Sequence, residues 1–253
     1  MHLTSSVACI AGALVLGPGW SSVAVVEQAA EQRLAPPAAA PEDAQPLAQS
    51  VAVDLIFEDA FKSGDTCNWS LTRSSTGLVL NELDYDNTEV DDAEFVEILN
   101  ASEVIVNLVG LALVLVNGSN ETEYARVALD EVPSLAPGQY LVVGSQTVLA
   151  SLPGGVEEIA FGSPTNNIQN GPDAIGILDT NSGTLIDALS YEGSVTAGIL
   201  TGVPMPVSFV HCAPTSAVDD GPGTLVRLPN GSSTNNDDTD WAFAATATPG
   251  AAN

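Results

Sequence analysis

The chain has 253 residues, 45% of them hydrophobic, and a formal charge of −27 from five Lys plus Arg against 32 Asp plus Glu. Such a charge repels a phosphate backbone and an anionic lipid surface, which argues against nucleic acid as a partner and against membrane insertion once a leader is removed. Only 15% of residues are charged and they sit among Val, Leu and Ile runs, so the acidity belongs to a folded domain with a solvated surface.

Residues 1–24 read as a signal peptide. An apolar run from Val7 to Leu16 is broken by Gly17-Pro18-Gly19, and Ser22-Val23-Ala24 offers small residues for cleavage, so the mature chain is expected to begin near Val25. The run is too short to span a bilayer, and the opening MHLTSS lacks the Lys or Arg usual in such a leader. A lipoprotein reading centred on Cys9 fits poorly, since the apolar run mostly follows that cysteine. The implied location is extracellular, cell-surface or periplasmic. Residues 25–53, as in LAPPAAAPEDAQPLAQ, have no sustained period and read as a disordered tether. Residues 54–77 lead into the domain. Their start, DLIFEDAFKSGDTCNWS, resembles the short "DGFESGDTSAWS" stretch of exported bacterial proteins, which implies location more than activity; an edge strand with a Ser-Gly-Asp turn fits equally.

From residue 78 to 253 the chain reads as all-β. Strands are predicted at Leu78 to Tyr85, Glu94 to Leu99, Leu111 to Val116, Glu123 to Leu129, Tyr140 to Val143, Ala174 to Leu178, Thr184 to Tyr191, Val207 to His211, Thr224 to Leu228 and Trp241 to Ala244. Turn chemistry separates them, with Asp179-Thr180-Asn181-Ser182-Gly183 the cleanest hairpin signal.

On these residues the chain resembles the exported bacterial branch of the lamin-tail domain family. The likeness is carried in order by VLNELDYDNTEVDDAEFVEILNAS, VNLVGLALVLVNG, SLAPGQYLVVG, NGPDAIGILDTNSGTLIDALSYEG and TLVRLPNGSSTNNDDTDWAFAATATPGAAN. Leu111 after Gly110, where the family often has an aromatic, and Val109 before it, where a small polar residue is usual, are the departures. The resemblance implies an immunoglobulin-like β-sandwich used for interaction or attachment, with no catalytic residues to carry over.

The chemistry points the same way. One histidine, His211, follows the leader, and no G-x-S-x-G, H-E-x-x-H or P-loop pattern occurs. Glu82, Glu94 and Glu97 lie on neighbouring predicted strands and could form a glycosidase pair, but strand-borne Glu more often faces solvent or accepts backbone hydrogen bonds at a sandwich end. The loop between them supplies Asp84, Asp86, Asp91 and Asp92 as candidate calcium ligands, short carboxylates on a turn-forming segment without full EF-hand spacing; a solvated acidic loop is the plainer reading. Asn235 to Asp240 is a second acidic cluster. Leader removal leaves Cys67 and Cys212, an even pair expected to form a disulfide in an oxidising compartment. The expectation is therefore an exported, non-enzymatic module whose partner is a protein or cell-surface component. The competing reading is a calcium-dependent secreted hydrolase or an accessory subunit of an extracellular enzyme.

Overall fold

A computed structural model of the protein describes residues 77–253. The leader, the tether and the residues through Thr76, with Cys67 among them, lie outside the described residues. None of the described helices is long and apolar enough to cross a membrane.

Two sheets face each other in an immunoglobulin-like sandwich. The six-stranded sheet has the order β12-β11-β1-β2-β7-β8: β12 is Trp241–Ala244, β11 Thr224–Arg227, β1 Leu78–Asp84, β2 Phe95–Asn100, β7 Tyr140–Gly144 and β8 Glu157–Ala160. The four-stranded sheet runs β10-β9-β4-β5, with β10 at Thr184–Tyr191, β9 at Asp173–Asp179, β4 at Leu111–Asn117 and β5 at Thr122–Ala128. A short ribbon pairs β3, Val106–Asn107, with β6, Ser134–Leu135. Pairing is antiparallel except where β8, a strand the sequence reading did not predict, runs parallel to β7.

The main core fills the space between the sheets with Leu80, Leu83, Tyr85, Val96, Ile98, Leu113, Leu115, Ile175 and Ile177. Each fully buried Leu or Ile contributes about 1.5–3 kcal/mol by transfer from water. The four-stranded sheet is also covered on its outer face, where Val114, Val116, Ala174 and Leu178 pack against Val195, Leu200 and Phe209. Burial on both faces explains why LALVLV in β4 is a continuous apolar run instead of an alternating one. Phe95 and Val142 on the outer face of the larger sheet meet Val148 and Leu149 of α1, Gln146–Leu149.

The predicted hairpin from Asp179 to Gly183 forms. Asp179 Oδ1 accepts the N–H groups of Asn181 and Ser182, and Gly183 takes φ +73°, a left-handed value open to glycine at little cost. The strand expected at Val207 to His211 does not form: only Val207 bridges, to Gly198. Phe209 is held there by its side chain in the outer apolar cluster, so the apolar residues reflect packing on a sheet and not membership in it. The acidic cluster at Asn235 to Asp240 is a loop entering one helical turn, α2, Asp237–Asp240.

Candidate functional site

Regular alternation along LVLNELDY would place Leu80, Glu82 and Asp84 on one face and Leu83 and Tyr85 on the other. A β-bulge between Leu80 and Glu82 corrects this: Leu80 faces Ile98 across the ladder, yet Glu82 faces Glu97. Leu80, Leu83 and Tyr85 therefore all enter the core, while Asn81 and Glu82 both reach the opposite side.

There they fasten the end of the chain. Glu82 Oε1 accepts the Thr248 N–H at 2.8 Å and Oε2 accepts the Thr248 hydroxyl at 3.1 Å. Glu97 Oε2 accepts the Gly250 N–H at 2.6 Å, and its Oε1 accepts the Asn81 amide at 2.7 Å. Asn253 donates from its side chain to the carbonyls of Asn81 and Arg227. Glu82 and Glu97 are each 0% exposed. Burial raises Glu82 to about 7 and Glu97 to about 8, outweighing the donors that favour the carboxylate. The third strand-end acid, Glu94, accepts the main-chain N–H groups of Asn167 and Ile168 and pins that loop. Each of these three glutamates thus gives at least one oxygen to a main-chain N–H far away in sequence.

Leu80 N–H, on the bulged side of β1, donates to Asp187 Oδ2 of β10 at 2.8 Å, and Leu80 C=O accepts Arg227 Nε at 2.7 Å. Arg227 is fully buried, reaches Asp187 at 2.9 Å and Asp240 at 3.2 Å, and stacks over Trp241 with 4.8 Å from its guanidinium carbon to the ring centroid. The Arg227–Asp187 pair joins the two sheets. Sequence reading gave Asp187 and Arg227 no role, although a cation inside TLVRLP could be buried only if paired.

The loop after β1 divides the candidate calcium ligands. Asp84 ends β1, is buried, and accepts the Asn87 side-chain amide at 2.7 Å. Burial and the neighbouring Asp219 push it up to about 8. Asp91 accepts the Asn87 N–H at 2.9 Å, while Asp92 is exposed. Asp86 offers its own N–H to Asp219 Oδ2 at 3.4 Å. Asp219, whose part in the loop sequence reading missed, also accepts the Tyr85 N–H and donates its own N–H to the Tyr85 hydroxyl; burial raises it to about 6. Among the described residues no three His, Cys, Asp or Glu side chains converge as a metal-holding group.

His211 is buried, with Nδ1 3.1 Å from Asp237 Oδ1 and its N–H donating to Asp237 Oδ2 at 2.9 Å. Burial raises Asp237. The pair anchors α2 beneath the loop. Cys212, directly after the segment expected as a strand, has φ +58°, a left-handed backbone value. Its expected partner, Cys67, lies outside the described residues.

Residues 72–193 match the family model described as Lamin Tail Domain. Residues 194–253 fall outside that match, yet β11, β12 and the fastened tail complete the larger sheet. No curated protein matches the chain. Among solved structures, the crystal structure of a DUF4876 family protein from Bacteroides thetaiotaomicron is similar, at 12% identity and a TM-score of 0.42 over 68% of this chain and 72% of that one.

Proposed function

Taking as premise that this chain belongs to the lamin tail domain family through residues 72–193, we propose that it is an exported, non-catalytic module for protein interaction or surface attachment. The observation that supports this best is the fate of the strand glutamates. Glu82, Glu94 and Glu97, the residues best placed for acid–base work, are each enclosed and bonded to main-chain N–H groups. What the domain offers to a partner is its surface. That surface is acidic, because of the two cations among residues 77–253 Arg227 is buried and Arg126 is paired with Glu123.

Export is tested by expressing the full chain in a bacterial host and sequencing the N-terminus of the extracytoplasmic product. A start near Val25 is expected; intact Met1 on cytosolic protein overturns the location. The interaction role is tested by incubating the purified chain with intact cells and with the extracellular proteins of its native host. Saturable retention on either is expected, and loss of the chain to neither overturns the module reading. The Cys67–Cys212 bridge belongs to the same proposal, and thiol titration of the denatured, unreduced protein is expected to find no reactive cysteine.

Calcium at the loop Asp84 to Asp92 is a narrower proposal, favoured by the Asp219 carboxyl, which raises Asp84 in a buried place, and by Asp219 Oδ1, which lacks a hydrogen-bond partner. A cation bound to the folded state alone raises stability by about 2.7 kcal/mol at a hundredfold excess over its dissociation constant. The melting temperature is expected to rise with millimolar calcium at matched ionic strength and to return with chelator. An unmoved midpoint leaves the loop as solvated acid.

A further inference from the structure

At the open side of the sandwich, β5 is the edge of the four-stranded sheet. Its first half is covered, since Thr122 bridges Ile199 and Glu123 N–H donates to the Ile199 carbonyl. Its second half makes no main-chain bond to that segment among the described residues, although the Arg126 side chain donates to the Thr201 carbonyl at 2.9 Å. Leu129 N–H donates to the Leu111 carbonyl, and the register continues with Ala128 opposite Ala112, Val127 opposite Leu113 and Arg126 opposite Val114. In an antiparallel ladder hydrogen-bonded and non-hydrogen-bonded pairs alternate, so Ala125 and Val127 spend their main-chain groups on β4 while Arg126 and Ala128 aim theirs away from the sheet. Both of those residues are exposed, and among the described residues none bonds their N–H groups.

Beside this half-edge lies a groove of about 430 Å³. Its floor is Leu115, Val127 and Phe161, part of the main core or packed on it, and its far wall carries the side-chain amides of Asn166 and Gln169. The core reaches the surface here without a covering segment among the described residues. Exposed Asp130 and Glu131 follow β5 directly, and Arg126 is neutralised by Glu123 through two 2.7 Å hydrogen bonds.

We infer that the Ala125–Ala128 edge of β5 and the adjoining groove form a docking site for an extended, basic peptide segment of another protein, which adds as a strand. The free N–H and C=O groups of Arg126 and Ala128 supply the ladder, the groove takes one apolar side chain, and Asp130 and Glu131 select Lys or Arg at the neighbouring position. The formal charge of −27 disfavours an acidic strand at the same edge. This inference rests on the interaction-module reading and names its surface.

The test titrates the full chain with a capped octapeptide of alternating Lys and Val, following main-chain amides by NMR. Shifts confined to Ala125–Ala128 and Asn166–Gln169 are expected, with at least tenfold weaker binding for the capped Glu/Val octapeptide. Ala128→Pro removes an outward donor while leaving the bonds to β4, so it is expected to keep its melting temperature and lose at least tenfold in affinity. Gln169→Ala, on the groove wall, checks the site independently with a severalfold loss. No binding at millimolar peptide, equal binding of the acidic peptide, or full binding by both variants overturns the inference. So does concentration-dependent dimerisation with the same shifts, which assigns the edge to a second copy of the chain. Cell-surface retention that survives Ala128→Pro leaves the module standing and removes only this site.

Discussion

Two groups of carboxylates, a few residues apart in sequence, meet opposite fates. Glu82 and Glu97 lie opposite one another on β1 and β2, sealed beneath Thr248 and Gly250. Glu89 and Asp92, in the loop that joins those strands, stand in water. The chemistry of the groups is nearly the same, and what differs is the number of main-chain donors within reach. Where the chain end brings N–H groups to a carboxylate, enclosure becomes tolerable and the acid turns into a fastener. Where no donor comes, water does the solvating and the acid contributes charge alone.

The sharpest challenge to this contrast is Arg227, the cation enclosed among acids. Arg227→Met leaves Asp187 and Asp240 buried without their counter-ion and is expected to cost about 3–5 kcal/mol in urea unfolding. A loss below about 1 kcal/mol would mean that water reaches the site. Next comes Glu97→Ala, which strands the donors of Asn81 and Gly250 and is expected to cost about 1–3 kcal/mol, with faster hydrogen exchange in residues 248–253. Exchange that stays unchanged there would show that the tail is held by something else.

The pH dependence separates the two groups most directly. Folded values of about 7 for Glu82, about 8 for Glu97 and about 8 for Asp84 lie above the ordinary 4.5 and 3.8. Each group holds its proton more tightly when folded, so the stability drawn from that proton is complete below about pH 4 and is lost as pH rises through 7 to 8. The melting temperature is expected to fall steadily from pH 5 to pH 9, and Glu97→Gln together with Asp84→Asn to flatten the profile. A midpoint that instead rises with pH across this range rejects the enclosure of these acids. The smallest effect belongs to the loop: Asp92→Asn is expected to stay within about 0.5 kcal/mol of the parent at pH 7.

Much of the sandwich could be read before the structure, because Leu78 to Tyr85, Leu111 to Val116 and Ala174 to Leu178 announce strands by composition and are bounded by turn residues. The segment 207–211 misled because Phe209 is apolar for a reason that local pattern does not record, namely contact with a sheet face far away in sequence. The glutamates were legible as scaffold. Their partners were not, since Thr248, Gly250 and Asn253 bond across more than 150 residues and carry no local signature. The loop acids were legible as a cluster, but Asp219, which meets Asp84 from a distant segment, was visible only once the chain had folded. A bulge such as the one at Asn81 also defeats alternation counting, because it places two consecutive side chains on one side.

The position of β1 has a mechanical consequence. Tension arriving from the residues before Leu78 enters a strand that sits inside the six-stranded sheet, paired with β11 on one side and β2 on the other. Pulling along that strand loads both ladders in shear together with the Asp187 and Arg227 bonds to Leu80, so several bonds must yield at once. An edge strand would peel from its neighbour one bond at a time, and a domain hung by such a strand would open under a smaller force.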